Sequence, residues 1–214
     1  QAIFRPLENR QDRLTGLHAN TQIPKIIGLA RIAALTEDAQ AHSAADFFWH
    51  TVTNNRSVAF GGNSVSEHFN PPDDFSKMVE DREGPETCNT YNMLKLTRHL
   101  FAWTADGRYA DYYERALWNS ILGTQDPQTG MMMYFVALNP GHWKVFNTPR
   151  DSFWCCTGTG MENHAKYGDS IYFHDEAGLY VNLFIGGTAT VPVGDQTVTV
   201  TQETDYPWNG AVRL

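Results

Sequence analysis

Four apolar stripes at helical spacing, followed by an abrupt switch to strand alternation, constrain this chain more than any other feature. Ile26, Ile27, Ala30 and Ala34 recur from Pro24 to about Leu35, and Pro24 suits a first turn, where a missing N–H costs nothing. After Thr36-Glu37-Asp38, a second stripe runs Ala41, Ala44, Ala45, Phe48, Trp49 and Val52, ending at Asn54-Asn55. A third follows Glu86-Thr87-Cys88, with Tyr91, Leu94, Thr97, Leu100 and Phe101 on one face, and Asp106-Gly107 interrupts it. The fourth, Tyr109, Tyr112, Tyr113, Ala116, Leu117 and Ile121, closes at Gly123. Short polar links between stripes predict two antiparallel helical hairpins. Met131–Leu138 and His142–Phe146, split by Asn139-Pro140-Gly141, predict a β-hairpin, and a helix is expected from Met161 to about Tyr172. From Leu179 the period becomes two, with Gly186-Gly187 and Gly194-Asp195 as turns. The expected class is therefore mainly α, with helical hairpins over residues 1–176. The beginning of a β-sandwich is expected over 177–214, the change falling near Asp175–Gly178.

At 214 residues and 42% hydrophobic, the chain can build a substantial core. A net charge of −8 without a Lys/Arg run argues against a nucleic-acid surface. No apolar run approaches membrane-spanning length. Gln1 follows neither a Met nor a basic-then-apolar leader, so the start reads as a cut end. Six Trp and nine Tyr offer flat faces with polar tips that suit sugar rings, although core packing alone accounts for many such residues.

The chemistry concentrates in three cysteines. Cys155 and Cys156 are adjacent in Phe153-Trp154-Cys155-Cys156-Thr157-Gly158-Thr159-Gly160, and Cys88 is the third. An odd count leaves at least one thiol free, and neighbouring cysteines close a strained ring. Inert buried thiols, soft metal ligands and one disulfide all remain open. No Cys-x-x-Cys supports a redox protein, and no Lys-Ser or Lys-Thr turns the Thr-Gly-Thr-Gly stretch into a phosphate cradle. Taken with Glu86, the three thiols form a set suited to tetrahedral Zn²⁺. Glu86 and Cys88 converge only if the chain is extended at that point, and Pro85 favours a late helix start. A bland role for Glu86, favouring a helix macrodipole, stands beside this one. A helix beginning at Met161 would turn free N–H groups toward the sulfurs and favour thiolates. Glu67, in the long polar segment from Val58 to Pro85, is the carboxylate best placed to act as an acid; a solvated loop carboxylate is the ordinary alternative.

Ser66-Glu67-His68-Phe69, Glu86-Thr87-Cys88-Asn89-Thr90-Tyr91-Asn92-Met93-Leu94-Lys95-Leu96 and the Phe153–Glu162 stretch together resemble the β-L-arabinofuranosidase glycoside hydrolases of families 127 and 146. The resemblance runs from about His18 to Ile185. It implies that the helical hairpins are the C-terminal part of an (α/α)₆ barrel followed by a β-sandwich. It implies Glu86, Cys88, Cys155 and Cys156 as Zn²⁺ ligands, Cys155 as nucleophile, Glu67 as acid/base, and His18 and Tyr134 as sugar contacts. Trp143, Trp154 and His164 are pocket candidates on position alone. The implied reaction is retaining hydrolysis that releases L-arabinose from a plant-type arabinofuranosyl glycan or oligosaccharide, with no nucleic-acid or membrane partner. A zinc-stabilised carbohydrate-binding or structural domain without hydrolytic activity is the alternative. Family members are longer, with the first barrel helices ahead of Gln1, so activity of these 214 residues alone is an open expectation. A glycan-degrading role is compatible with a secreted or periplasmic location, a cytoplasmic one stays open, and nothing sets an oligomeric state.

Overall fold

A computed structural model describes residues 3–214; the reading of Gln1 as a cut end falls outside them. The chain is mainly helical with a small antiparallel sheet part, and it divides into two compact units, one ending at His164 and one covering Ala165–Leu214.

In the first unit, the helices are α1 (Phe4–Glu8), α2 (Ala19–Thr36), α3 (Ala39–Asn55), α4 (Ser76–Glu80), α5 (Thr87–Thr104), α6 (Gly107–Ala116) and α7 (Cys155–His164). Helices α2/α3 and α5/α6 form the two expected hairpins, and both use the same joint. Glu37 and Ala105 end the first helix of each pair in the left-handed conformation, at φ 56° and 50°. The next residue is an Asp that caps the second helix: Asp38 accepts from the Gln40 and Ala41 N–H groups, Asp106 from that of Arg108. After α6 the helix widens into a π turn over Leu117–Ile121 and ends in a 3₁₀ turn at Leu122–Thr124.

The core is centred on α5, which packs against α2, α6 and α7. Met93, Leu96 and Leu100 on α5 meet Ile23, Ile26 and Ala30 of α2 and Phe48 and Val52 of α3 in a dry interior. Each fully buried Leu, Ile or Phe contributes roughly 1.5–3 kcal/mol over leaving it in water. Two buried polar contacts fix the register: Trp49 Nε1–H donates to Thr97 Oγ1 at 2.8 Å, and the Tyr112 hydroxyl donates to the Gly61 carbonyl at 2.9 Å.

Three local expectations change. Helix α2 begins at Ala19 and contains Pro24, because the chain before it is pinned: Phe69 N–H donates to the Leu17 carbonyl and Ala19 N–H to that of Glu67. Residues 131–146 form isolated bridges instead of a regular hairpin. Met133 does face Phe146, but Met132 pairs with Gln125, and Phe135 pairs with Glu86. Helix α7 starts at Cys155, not Met161, so the cysteine pair lies in its first turn. Gly160 makes this possible: a Cβ there would lie 2.7 Å from Met132 Cγ, so only glycine lets the helix approach so closely.

The second unit holds β1 (Tyr172–His174) paired with β2 (Leu179–Val181), and a three-stranded sheet β3 (Gly187–Val193), β4 (Gln196–Thr204) and β5 (Val212–Arg213) in sequence order. Asp175 and Gly178 close the first turn; Gly194-Asp195, with Gly194 at φ 57°, closes the β3/β4 hairpin in the register Val193 to Gln196. Among the described residues, no helix is long and apolar enough to cross a membrane.

One buried charge ties the loops to the helices. Arg56, 1% exposed at the end of α3, donates to the Asn70 carbonyl, Thr15 Oγ1 and the Asp12 carboxylate, joining the segments that lead to His18 and Glu67. Asp12 keeps partial solvent access, so removing the guanidinium strands carbonyl and hydroxyl acceptors more than a bare charge. Arg56→Met is expected to lower unfolding stability by about 2–3 kcal/mol, the scale of lost charge-assisted hydrogen bonds, measured by chemical denaturation. An unchanged midpoint would show that these segments are held without it.

Candidate active site

The site begins where Pro85 delays the start of α5. Glu86 is the residue ahead of the helix, extended at φ −81° and ψ 132°, and its side chain makes no capping hydrogen bond. The macrodipole role is therefore not what its carboxylate serves geometrically. Residues Pro85–Thr87 instead pair with the strip Tyr134–Val136: Thr87 N–H donates to the Tyr134 carbonyl at 3.0 Å and Val136 N–H to that of Pro85 at 2.9 Å. Gly84 permits this contact, since a Cβ there would stand 2.2 Å from the Val136 carbonyl oxygen.

This pairing turns Glu86 inward beside Cys88, in the first turn of α5, and both face the first turn of α7. The ligating atoms of Glu86, Cys88, Cys155 and Cys156 all lie within 4.8 Å of one another. Cys155 Sγ is 3.9 Å from both Cys156 Sγ and Glu86 Oε1, and Cys156 Sγ is 4.0 Å from that oxygen. Sulfurs around a tetrahedral Zn²⁺ are separated by roughly 3.8 Å, so the Cys155–Cys156 spacing suits a shared ion, and the Glu86 oxygen lies a little farther from both than such an ion would hold it. The Cys88–Cys156 separation, 3.1 Å, is tighter, a sulfur–sulfur hydrogen bond. Thr159 Oγ1, one turn along α7, lies 3.2 Å from Cys88 Sγ.

Electrostatics make the case for a cation. Glu86 is 1% exposed, its Oε2 is buried without a hydrogen-bond partner, and burial, followed by the neighbouring Cys156, pushes its carboxyl up to about 8. The hydrogen bond with Cys156, together with burial, holds the Cys88 thiol far above its usual range. Burial, reinforced by Cys156, also raises Cys155. Cys156 alone is drawn down, to about 7, by the hydrogen bond from Cys88. The start of α7 therefore does not by itself ionise Cys155; crowding and burial outweigh it. Close together and with their donor atoms converging, the four could hold a metal ion, whose charge would favour the ionised forms that burial opposes.

A second group adjoins the first. Glu67 accepts from the Tyr134 hydroxyl, and its other oxygen lies 3.3 Å from His18 Nε2. Burial and its bond to Glu67 push that hydroxyl well above the ordinary phenol range. His18 precedes α2 without capping it, and its Nδ1 is buried and unpartnered. The backbone around Glu67 is strained: Ser64, Ser66 and Glu67 have φ of 81°, 43° and 70°, a region costing non-glycine residues on the order of 1 kcal/mol or more each. Ser66 N–H to the Glu83 carbonyl at 2.7 Å, the reciprocal Val65/His68 pair and Asn89 Nδ2–H to Ser64 Oγ hold it there.

All seven residues singled out in the sequence thus fall into two adjoining groups: Glu86, Cys88, Cys155 and Cys156, and Glu67, Tyr134 and His18. Trp143 and Trp154 line a cavity beside Tyr134, and His164 does not. Two neighbours escaped sequence reading. His68 packs edge-on against His18, with ring centroids 5.3 Å apart, and its place beside Glu67 was the available clue. Thr159 was signalled by its spacing of three and four from the cysteine pair.

The helical scaffold thus bears a thiol and carboxylate donor set beside a tyrosine-linked glutamate, with Glu67 and His18 outside the donor set. Residues 1–169 match the model of the β-L-arabinofuranosidase GH127 catalytic domain, and the chain belongs to that family. It is 29% identical to a non-reducing end β-L-arabinofuranosidase of Bifidobacterium longum subsp. longum, over 86% of this chain and 30% of that protein. The crystal structure of a GH127 β-L-arabinofuranosidase from Geobacillus stearothermophilus T6 superposes with a TM-score of 0.80 at 26% identity, over 97% of this chain and 34% of that one. A GH127 β-arabinofuranosidase structure at 23% identity shares the fold, with a TM-score of 0.74 over 92% of this chain and 31% of that one. The chain spans about a third of the length of these relatives.

Titrating the reduced protein with ZnCl₂ is expected to raise its melting temperature until about one equivalent has bound, because binding to the folded state alone adds stability. Cys156→Ser, which removes a buried sulfur, should lose most of that rise. An equal rise in the variant would place the ion elsewhere.

Proposed function

We propose that this chain carries the reacting centre of a retaining glycoside hydrolase that releases L-arabinose from β-L-arabinofuranosides of a plant-type glycan or oligosaccharide. The observation that carries the reading is the junction at Tyr134. Its carbonyl accepts from the Thr87 N–H and lies 3.9 Å from Cys156 Sγ, and its hydroxyl donates to Glu67, so one residue joins the two groups. Membership in the GH127 catalytic-domain family and the resemblance to named arabinofuranosidases support the substrate class. In this reading residues 1–176 are the C-terminal part of an (α/α)₆ barrel and 177–214 the beginning of a β-sandwich. The helical hairpins followed by antiparallel strands support that order of parts.

Glu86, Cys88, Cys155 and Cys156 would hold Zn²⁺, whose charge favours the ionised thiols that burial otherwise opposes. Cys155, the most solvent-accessible of the three cysteines, is the nucleophile. Its sulfur attacks the anomeric carbon and the bond to the leaving oxygen breaks. Glu67 gives that oxygen its proton, leaving a thioglycosyl link on Cys155. Glu67, now a carboxylate, takes a proton from water; the resulting oxygen attacks the same carbon, the carbon–sulfur bond breaks, and both residues return to their starting states. His18 and Tyr134 aim the Glu67 carboxyl and meet the sugar hydroxyls. Two inversions at one carbon give net retention.

With the zinc-loaded protein, Cys155→Ala is expected to reduce turnover of an aryl β-L-arabinofuranoside by a factor of roughly a thousand or more. Mass spectrometry of Glu67→Gln mixed with a substrate carrying a good leaving group should find a pentosyl residue on the peptide bearing Cys155. Substantial turnover by the alanine variant, or the sugar on another residue, would remove Cys155 from this role.

A further inference from the structure

Beside the reacting groups lies a cavity of about 380 Å³ whose walls are mostly aromatic and aliphatic, Tyr134, Phe135, Trp143, Val145 and Trp154 among them, with Arg82 and Glu83 as charged lining residues. Neither Cys155, Glu67 nor His18 lines it. Tyr134 belongs to both places. Its ring faces the cavity, meeting Phe135 at 4.3 Å and the edge of Trp154 at 5.8 Å between centroids, while its hydroxyl donates to Glu67. Trp154 is also the residue before Cys155.

We infer that this cavity is the leaving-group subsite, and that it takes a leaving group with a flat apolar ring face carrying a polar group at its edge. The inference rests on the hydrolase reading and adds the selectivity of that same site. An arabinofuranosyl ring is rich in hydroxyls and needs the polar cluster of His18, Glu67 and Tyr134. The cavity offers few such partners, so the same ring placed there would bury hydroxyls without hydrogen bonds. Glu67 protonates the oxygen that departs, so the group attached to that oxygen extends from the Tyr134 hydroxyl along the tyrosine ring, into the cavity. There it meets aromatic faces, which favour aryl rings and the apolar face of a pyranose.

Two details sharpen the choice. Trp143 is 67% exposed, so its indole is open to a ligand, and the Arg82 guanidinium 5.5 Å from its ring centroid steadies it. Arg82, Glu83 and His142 are the lining residues with polar groups, set among apolar and aromatic ones. They supply the contacts for the polar edge of the ring.

The test compares zinc-loaded wild type and Trp143→Ala on 4-nitrophenyl and methyl β-L-arabinofuranoside. The ratio of kcat/KM for the aryl over the methyl substrate is expected to fall about tenfold in the variant and to recover largely in Trp143→Phe. In the Glu67→Gln background, the dissociation constant for the aryl glycoside should rise about tenfold with the same alanine. An unchanged ratio with intact turnover overturns the subsite and leaves the hydrolase. Trp143-dependent binding without turnover by the wild type keeps the aryl pocket and overturns the hydrolase reading, and neither binding nor turnover overturns both.

Discussion

The backbone pairing of Pro85–Thr87 with Tyr134–Val136 is the contact on which the rest of the site depends. It holds Glu86 in an extended conformation just ahead of α5, which lets two residues only two apart, Glu86 and Cys88, face the same point. It also sets Tyr134 between Glu67 and the first turn of α7. The long α5 anchors one side through its buried face, and Gly84 and Gly160 admit the close approaches on the other. A helix alone could not deliver this geometry, because residues two apart on a helix diverge.

Packing four acidic groups together in a mostly dry site has a large electrostatic cost, and that cost is informative. Burial raises Glu86 and Cys155, the hydrogen bond with Cys156 and then burial raise Cys88, and among the four only Cys156 is eased downward, through its contact with Cys88. A site selected only for stability would replace such groups with apolar ones of similar volume. Their presence beside a strained, tyrosine-linked glutamate fits a function that needs an ionised sulfur next to a proton donor.

Much of the helical part was legible in the sequence, because α3, α5 and α6 each carry an apolar period, and α3 and α6 begin at an Asp cap. The start of α2 was misplaced at Pro24, since the pull of the Phe69 and Glu67 backbone on Leu17 and Ala19 comes from residues some fifty positions away. Local composition also misled at α7. Thr-Gly-Thr-Gly reads as a turn, yet Gly160 serves close packing against Met132. The donor set was legible through the family resemblance carried by Glu86-Thr87-Cys88 and Cys155-Cys156, since spacing alone left buried thiols and a disulfide open as well. The junction at Tyr134, the cavity around Trp143 and the strain behind Glu67 depend on long-range chain placement that no local pattern encodes.

X-ray absorption at the zinc edge of the reduced, zinc-loaded protein tests the central claim most directly. The account predicts one zinc per chain with a shell of three sulfur scatterers and one oxygen, falling to two sulfurs in Cys155→Ala. A shell made only of oxygen and nitrogen, or one that keeps three sulfurs in that variant, would contradict it.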